Sequence, residues 1–330
     1  MKWFLLLFFT ACSIYAEAPI PFRKGKLWGY SDRFGNLVFD AIYDVANPFY
    51  EGNALVKKNN CFGFISMTGK QYFSDEIENC SNFSEGLAAL KLKTTKKWGF
   101  IDKNFLIAIK PVFEDVYSFS SGMAAVKLNG KWGFIDKKGS IIIPCQFDKV
   151  KSCTNKTIPV CKNGKWGFLN FDGSQLIPFS YKNITSFNEG IAGVSIDGMN
   201  HFYIDKSGKK IMKLFFEQCG IFYNGFAVVK SNGGYGVISK IGIWKIPPYY
   251  SYLSDFSDGL AVCSINSHYG YIDMDGNLVI PMIYTYAMPF RNGYGHVWMG
   301  KTRVKISGGA IIEQPIFDGY IDKNNRSFWK

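Results

Sequence analysis

Apolar and polar positions alternate from Met123 to Leu128, with Ala124, Val126 and Leu128 on one face and Ala125 and Lys127 on the other. That is the period of a strand, and Leu87 to Leu92 and Leu260 to Ile265 repeat it. The pair Asn129-Gly130 follows, as Asn163-Gly164 does later, and Asn-Gly between apolar runs predicts a tight hairpin. Trp132 to Asp136 is the next strand. It is apolar on both faces apart from Gly133, where a missing side chain lets a neighbour approach; stacking the Trp of one unit over the Gly of the next would use that gap. Asp136 to Gly139 predicts a turn with Asp at its first position and Gly at its fourth. Ile141-Ile142-Ile143 predicts a third strand closed by Pro144, because proline has no donor with which to continue a ladder. Pro178, Pro247, Pro281 and Pro315 stand at or near the same place.

The whole block recurs. Aligned on the Trp position, its copies fall at Trp28, Phe62, Trp98, Trp132, Trp166, His201, Tyr235, Tyr269 and Thr302, at spacings of 34, 36, 34, 34, 35, 34, 34 and 33 residues. Fixed spacing of this kind marks tandem repetition of one supersecondary unit. A Phe-x-x-Gly step precedes most copies, from Phe49-Gly52 to Phe290-Gly293, and its Gly permits a reversal into the following strand. The expected architecture is all-β: about nine three-stranded antiparallel meanders, each followed by an extended arm that runs back across its sheet and is partly paired itself. Stacked side by side the units make an open, superhelical, solenoid-like array. Curled shut they make a β-propeller, whose blades usually number four to eight and contain four strands in about 40 to 45 residues. Units of this length favour the open form. The repeated rings at Trp28, Phe62, Trp98, Trp132, Trp166, Tyr235 and Tyr269 are its expected core.

The motif GKWGFIDxxG, the Ile-rich strand ending in Pro, and Phe-x-x-Gly-x-Ala resemble the WG (KWG) repeat family of bacteria over about residues 20 to 320. The resemblance implies an all-β repeat protein, often exported, and carries no catalytic motif. Three units depart from it: His201-Phe202 replaces Trp-Gly, Asn104-Phe105 disrupts a turn Gly, and the stretch from Cys153 to Cys161 alters a strand entry.

Composition adds direction. A short positive start and the apolar run Trp3 to Phe9 have the form of a secretory signal and are too short to span a bilayer. Cleavage after Ala16 would leave residues 17–330 as one domain; alternatively Phe9-Thr10-Ala11-Cys12 resembles a relaxed lipobox, with Cys12 lipidated. The eight cysteines do not recur at one repeat position and read mainly as small core residues. Cys61 with Cys80 and Cys153 with Cys161 are the pairs near enough in sequence to propose as disulfides. Net charge is +12, with excess lysine in the turns: Lys96, Lys97, Lys137, Lys138, Lys162, Lys165, Lys206, Lys209 and Lys210. Equivalent turns of a repeat share a rim, so these form a candidate basic surface. Nucleic acid is disfavoured as its partner, because the signal directs the chain out of the cytoplasm.

Candidate chemistry is sparse. Histidine occurs at His201, His268 and His296 only, and no GxSxG, HExxH or P-loop spacing is present. Asp273-Met-Asp275-Gly276 opens like a calcium loop but lacks the later bidentate Glu, and Asp32, Asp102, Asp136, Asp205 and Asp273 sit where turn capping requires them. No metal or cofactor is expected. The leading expectation is a non-enzymatic exported scaffold binding a protein or anionic envelope polymer at the cell surface, touching membrane only through an N-terminal lipid. The alternatives are a glycan-acting hydrolase with its site in the irregular units near His201 or Cys153–Cys161, and a passive stalk.

Overall fold

The computed structural model describes residues 18–300, 302–305, 311–314 and 317–329. The expected signal peptide, Cys12 and Pro315 lie outside them. Every element among the described residues is a strand. The unit around Trp132 consists of Asp115–Val116, Ala124–Leu128, Lys131–Ile135 and Ile141–Phe147, hydrogen-bonded in that order as an antiparallel sheet.

The sheet is therefore four-stranded, and the additional strand comes from the returning arm. Beyond Phe147 the arm enters Lys149–Val150, which pairs with Cys161 and Val160 of the following unit. Each unit supplies the short first strand of the next sheet, which is how a repeat near 34 residues makes a four-stranded blade. The Asn-Gly hairpin forms as read: Asn129 and Gly130 have φ of 51° and 74°, the pair of left-handed residues that a type I′ turn demands. Asp136 caps its turn, its Oδ1 accepting from the amides of Lys138 and Ser140 at 2.9 Å each.

Pro144 does not end pairing. The fourth strand continues through it to Phe147, with register shifts between Trp132↔Phe147, Phe134↔Ile143 and Ile135↔Ile141. Proline is tolerated because it sits in a bulge of an edge strand. Gly133 serves that bulge, not the Trp of a neighbouring unit: a Cβ there would lie 2.6 Å from the Ile143 carbonyl oxygen and 2.7 Å from the Cys145 amide nitrogen. The irregular unit confirms the point. Where Phe202 replaces this glycine, the regular fourth strand is lost, and isolated pairs His201–Phe216 and Ile204–Lys210 remain beside Asn183–Ile184, Ile191–Ser195 and His201–Asp205.

Nine such blades follow one another, and the array is closed, which replaces the open arrangement favoured from unit length with its propeller alternative. The first blade (Ile20–Lys24, Leu27–Ser31, Leu37–Tyr43) meets the ninth (Tyr286–Ala287, Tyr294–Met299, Phe317–Asp322). The Arg23 amide donates to the Phe328 carbonyl at 3.1 Å, the Arg326 guanidinium to the Arg33 carbonyl at 2.8 Å, and Phe328 is buried with Ile20 and Phe22.

The ninth copy of the motif also moves. Tyr294–Met299 pairs with Phe317–Asp322, placing Trp298 opposite Asp318 and His296 opposite Tyr320, and Thr302–Lys305 with Ile311–Gln314 is an inserted hairpin. The counterpart of Trp-Gly-Phe-Ile-Asp is thus Asp318-Gly319-Tyr320-Ile321-Asp322, not the stretch at Thr302.

Six junctions between adjacent blades share one recurring ring pair. The third-strand aromatic of a blade meets the Phe of the next blade's Phe-x-x-Gly turn: Tyr30–Phe49 at 4.9 Å, Phe64–Phe83 at 5.1 Å, Phe100–Phe119 at 4.9 Å, Phe168–Phe187 at 4.6 Å, Tyr203–Phe222 at 4.8 Å and Tyr271–Phe290 at 4.8 Å. Tilted aromatic pairs of this kind contribute about 0.5–1.5 kcal/mol each beyond area burial. Of the repeated Trp-position rings, Trp28 and Trp132 are buried, while Phe62, Trp98, Trp166, Tyr235 and Tyr269 are half-buried.

Candidate binding cleft at the seam of the ring

Blade 1 breaks the rule that joins the others. Arg23 pairs with Trp28 as Lys127 pairs with Trp132, so Ile20–Lys24 is a second strand, and among the described residues blade 1 has neither a first strand nor a Phe-x-x-Gly turn. On that side blades 9 and 2 reach each other directly, the Asn292 amide donating to the Phe49 carbonyl at 3.4 Å. Among the described residues eight first strands thus serve the nine blades.

Between them lies a cleft of about 540 Å³. Its walls are the first strands and turns of blades 2 and 9, carrying Asp44, Asn47, Tyr50, Met288 and Arg291; Trp28, Tyr294, His296, Asp318 and Tyr320 line it too. Tyr320 occupies the slot of Phe134 but has no Phe from blade 1 to meet. His296 lies flat on it instead, at 4.6 Å and 9°, with Trp28 edge-on to both rings at 6.1 and 5.9 Å. Burial, helped by nearby Arg23, brings the imidazole down to about 4, so it is neutral at pH 7. Its Nε2 makes no hydrogen bond and stands 3.6 Å from Asp318 Oδ2. Asp318 pairs with the Arg23 guanidinium, which also lies 5.7 Å over the Trp28 ring.

From His296 a row of rings leads out of the cleft across blades 9, 8 and 7: Trp298 at 4.3 Å, then Tyr286 at 5.0 Å, Tyr269 at 5.6 Å, Tyr252 at 6.0 Å and Tyr235 at 6.2 Å, each measured from the ring before it. Tyr252 and Tyr286 are 40% and 50% exposed. The positions that carry lysine at Lys57, Lys91, Lys127 and Lys230 carry Ser264 and Trp298 here, which is why the rings run on uninterrupted.

The lysines expected on one rim are divided between two. Lys96, Lys97, Lys162 and Lys165 flank hairpins between second and third strands; Lys137, Lys138, Lys206, Lys209 and Lys210 flank turns between third and fourth strands. In an antiparallel sheet these are opposite ends. Lys96 pairs with Glu78 at 2.6 Å and Lys137 with Glu85 at 3.3 Å, Lys162 donates to Gln146 at 3.1 Å, Lys206 to the Asn155 carbonyl at 3.3 Å, and Lys210 lies 3.4 Å over Phe215. Near His201 a shallow pocket holds Asp197, whose carboxylate is held far below its usual range by the amide and side chain of Asn200. His201 itself faces the Met199 carbonyl through Nδ1 at 3.2 Å. Asp273 is occupied by the amides of Asp275 and Asn277 at 2.9 Å each.

The seam was not foreseen. Its signal was present in Asp318-Gly319-Tyr320-Ile321-Asp322, a close copy of the motif displaced by the inserted hairpin. Aligning it would have set His296 opposite Tyr320, where other units have residues such as Ala125.

The family described as WG containing repeat matches residues 28–60, 98–132, 132–166, 166–199, 202–235, 235–267 and 269–297. The chain belongs to the WG-containing repeat family. No curated protein matches this WG-repeat chain. Among solved structures it is similar to BamB from Moraxella catarrhalis, with 10% identity, 76% of this chain and 92% of that chain covered and a TM-score of 0.48. It is also similar to Kluyveromyces lactis Hsv2, at 9%, 81%, 95% and 0.43, and to the dihydro-heme d1 dehydrogenase NirN, at 11%, 79%, 71% and 0.45.

Proposed function

We propose that this WG-repeat protein is a non-enzymatic binding scaffold, exported to the cell envelope, whose partner is another protein engaged across the row from Trp298 to Tyr235. The observation that carries this reading is the exposure of Tyr286 and Tyr252 within a continuous run of rings. Tyr and Trp supply large rigid contact area with a polar tip, and they dominate the energetics of protein interfaces. An anionic polymer has less support, because the lysines divide between two ends and several are already paired. Nor does the seam favour hydrolysis, because Asp318 is already engaged by the Arg23 guanidinium.

The double variant Tyr252→Ser/Tyr286→Ser tests the proposal. Immobilised exported chain is cross-linked to an envelope fraction, and the protein it captures is then titrated in purified form. At least a tenfold loss of affinity is expected in the variant, with little dependence on salt. Equal affinity of wild type and variant would overturn the assignment to this face. Mass spectrometry of the mature N-terminus tests export: an intact Met1 in chain recovered from the envelope would remove it.

A further inference from the structure

We infer that the seam cleft is a binding site for one neutral sugar unit of a glycan. The site is separate from the Tyr252–Tyr286 face and does not rest on the protein-partner reading.

Charge sets the first limit. Two carboxylates, Asp44 and Asp318, and two guanidiniums, Arg23 and Arg291, stand in or beside the cleft. An anionic ligand would meet both carboxylates. A cationic one would find its natural place taken, since Arg23 already pairs with Asp318 and covers Trp28. A ligand without net charge meets neither objection.

Hydrogen bonding narrows the class further. Nε2 of His296 and Oδ2 of Asp318 are 3.6 Å apart, too far for a direct hydrogen bond, and Nε2 is buried without a partner. Leaving such an atom unsatisfied is costly. Asp318 beside it is partly exposed, so its carboxylate can accept from a hydroxyl in the cleft, and a hydroxyl can donate there while accepting from another group at the same time. Several hydroxyls on one small frame would in addition reach Asp44, Arg291 and the Asn47 amide, planar groups with donors and acceptors fixed in direction.

Shape completes the case. Trp28, Tyr50, Tyr294 and Tyr320 provide apolar ring surface against which the C–H face of a pyranose can pack, while its hydroxyl edge meets the polar side. The cleft lies within the size range of small-ligand sites. An extended peptide adding to the edge of Ile20–Lys24 is disfavoured, because the Arg23 amide that such a strand would use is already bonded to the Phe328 carbonyl.

The experiment is titration of the exported chain with glucose, galactose, mannose, N-acetylglucosamine and their β-linked dimers, read by tryptophan emission and calorimetry. A saturable response to at least one sugar is expected, unchanged by added salt because the ligand is neutral. Asp318→Asn and Asp44→Ala should each weaken it about tenfold. Asp44 is exposed, so its replacement tests the site even where Asp318→Asn disturbs the seam. The inference is overturned if no sugar of the panel gives a saturable response, if both variants bind as wild type does, or if a neutral tetrapeptide displaces the sugar. Failure here leaves the Tyr252/Tyr286 test untouched, and failure there leaves this one.

Discussion

His296 lies parallel to Tyr320, ring centroids 4.6 Å apart and planes 9° apart, in the place where six other junctions set the ring of a Phe-x-x-Gly turn against the third-strand aromatic with planes 56° to 83° apart. The stacked partner comes from within blade 9, so the seam is joined differently from the rest of the ring. Its rings pack on their own strand partner, on Trp28, and around a cleft.

The burial of His296 makes the seam sensitive to acid. Burial and the nearby Arg23 bring His296 down to about 4, against an ordinary value near 6.5. Because the folded value lies below the unfolded one, the unfolded chain binds the proton more readily between the two. Stability is complete above about pH 6.5, falls as pH drops toward 4, and loses at most about 3 kcal/mol to this group. Melting curves from pH 7 to 4.5 for wild type and His296→Phe check this. The wild type should lose more stability over that window, the difference between the two being the histidine's share.

Strand alternation, Asn-Gly hairpins and Asp-capped turns were all legible, because each depends on residues within a few positions of one another. So was the repetition. Closure was not, because it depends on the Arg23 amide meeting Phe328, a contact between opposite ends of the chain with no local periodic signature. The fourth strand was half legible: the arm was expected to be extended, but the partner of Lys149–Val150 belongs to the next unit. Lysine placement failed for a topological reason. Residues such as Lys97 and Lys138 look alike in a list of basic turns, yet consecutive hairpins of a meander point to opposite ends.

Two glycines of one hairpin should respond differently to substitution. A Cβ at Gly133 meets backbone atoms at 2.6 and 2.7 Å, so Gly133→Ala forces the bulged fourth strand away and should cost about 1–3 kcal/mol or more. Gly130 has nothing within 4 Å and a φ of 74°, so Gly130→Ala costs only the left-handed conformation, about 1–2 kcal/mol. Chemical denaturation of both variants checks the order. Amide exchange should rise along Ile141–Phe147 in Gly133→Ala alone.

Ring closure can be probed through Phe328, which is 2% exposed and packed with Ile20 and Phe22. Phe328→Ala should cost about 3–5 kcal/mol, whereas Phe34→Ala, at 70% exposure, should change little. Loss of exchange protection at the Arg23 amide, ahead of amides in blade 4, is the expected signature. Uniform loss around the ring would mean that the seam is no weaker than the other junctions.

The cysteines divide by burial. Cys61, Cys80, Cys145, Cys153, Cys161, Cys219 and Cys263 are all free thiols, so neither Cys61–Cys80 nor Cys153–Cys161 forms the disulfide that sequence proximity allowed. Burial pushes Cys80, Cys153, Cys219 and Cys263 up to about 12. The thiolate is the reactive form, so these four should resist alkylation in the folded protein and react once it is unfolded. Cys61, half-exposed, should label first. Iodoacetamide labelling followed by peptide mass spectrometry, with and without denaturant, distinguishes the two groups, and a reducing agent should leave the melting temperature unchanged. A fall in melting temperature on reduction would mean that a disulfide braces the ring, and that the core role assigned to these thiols is wrong.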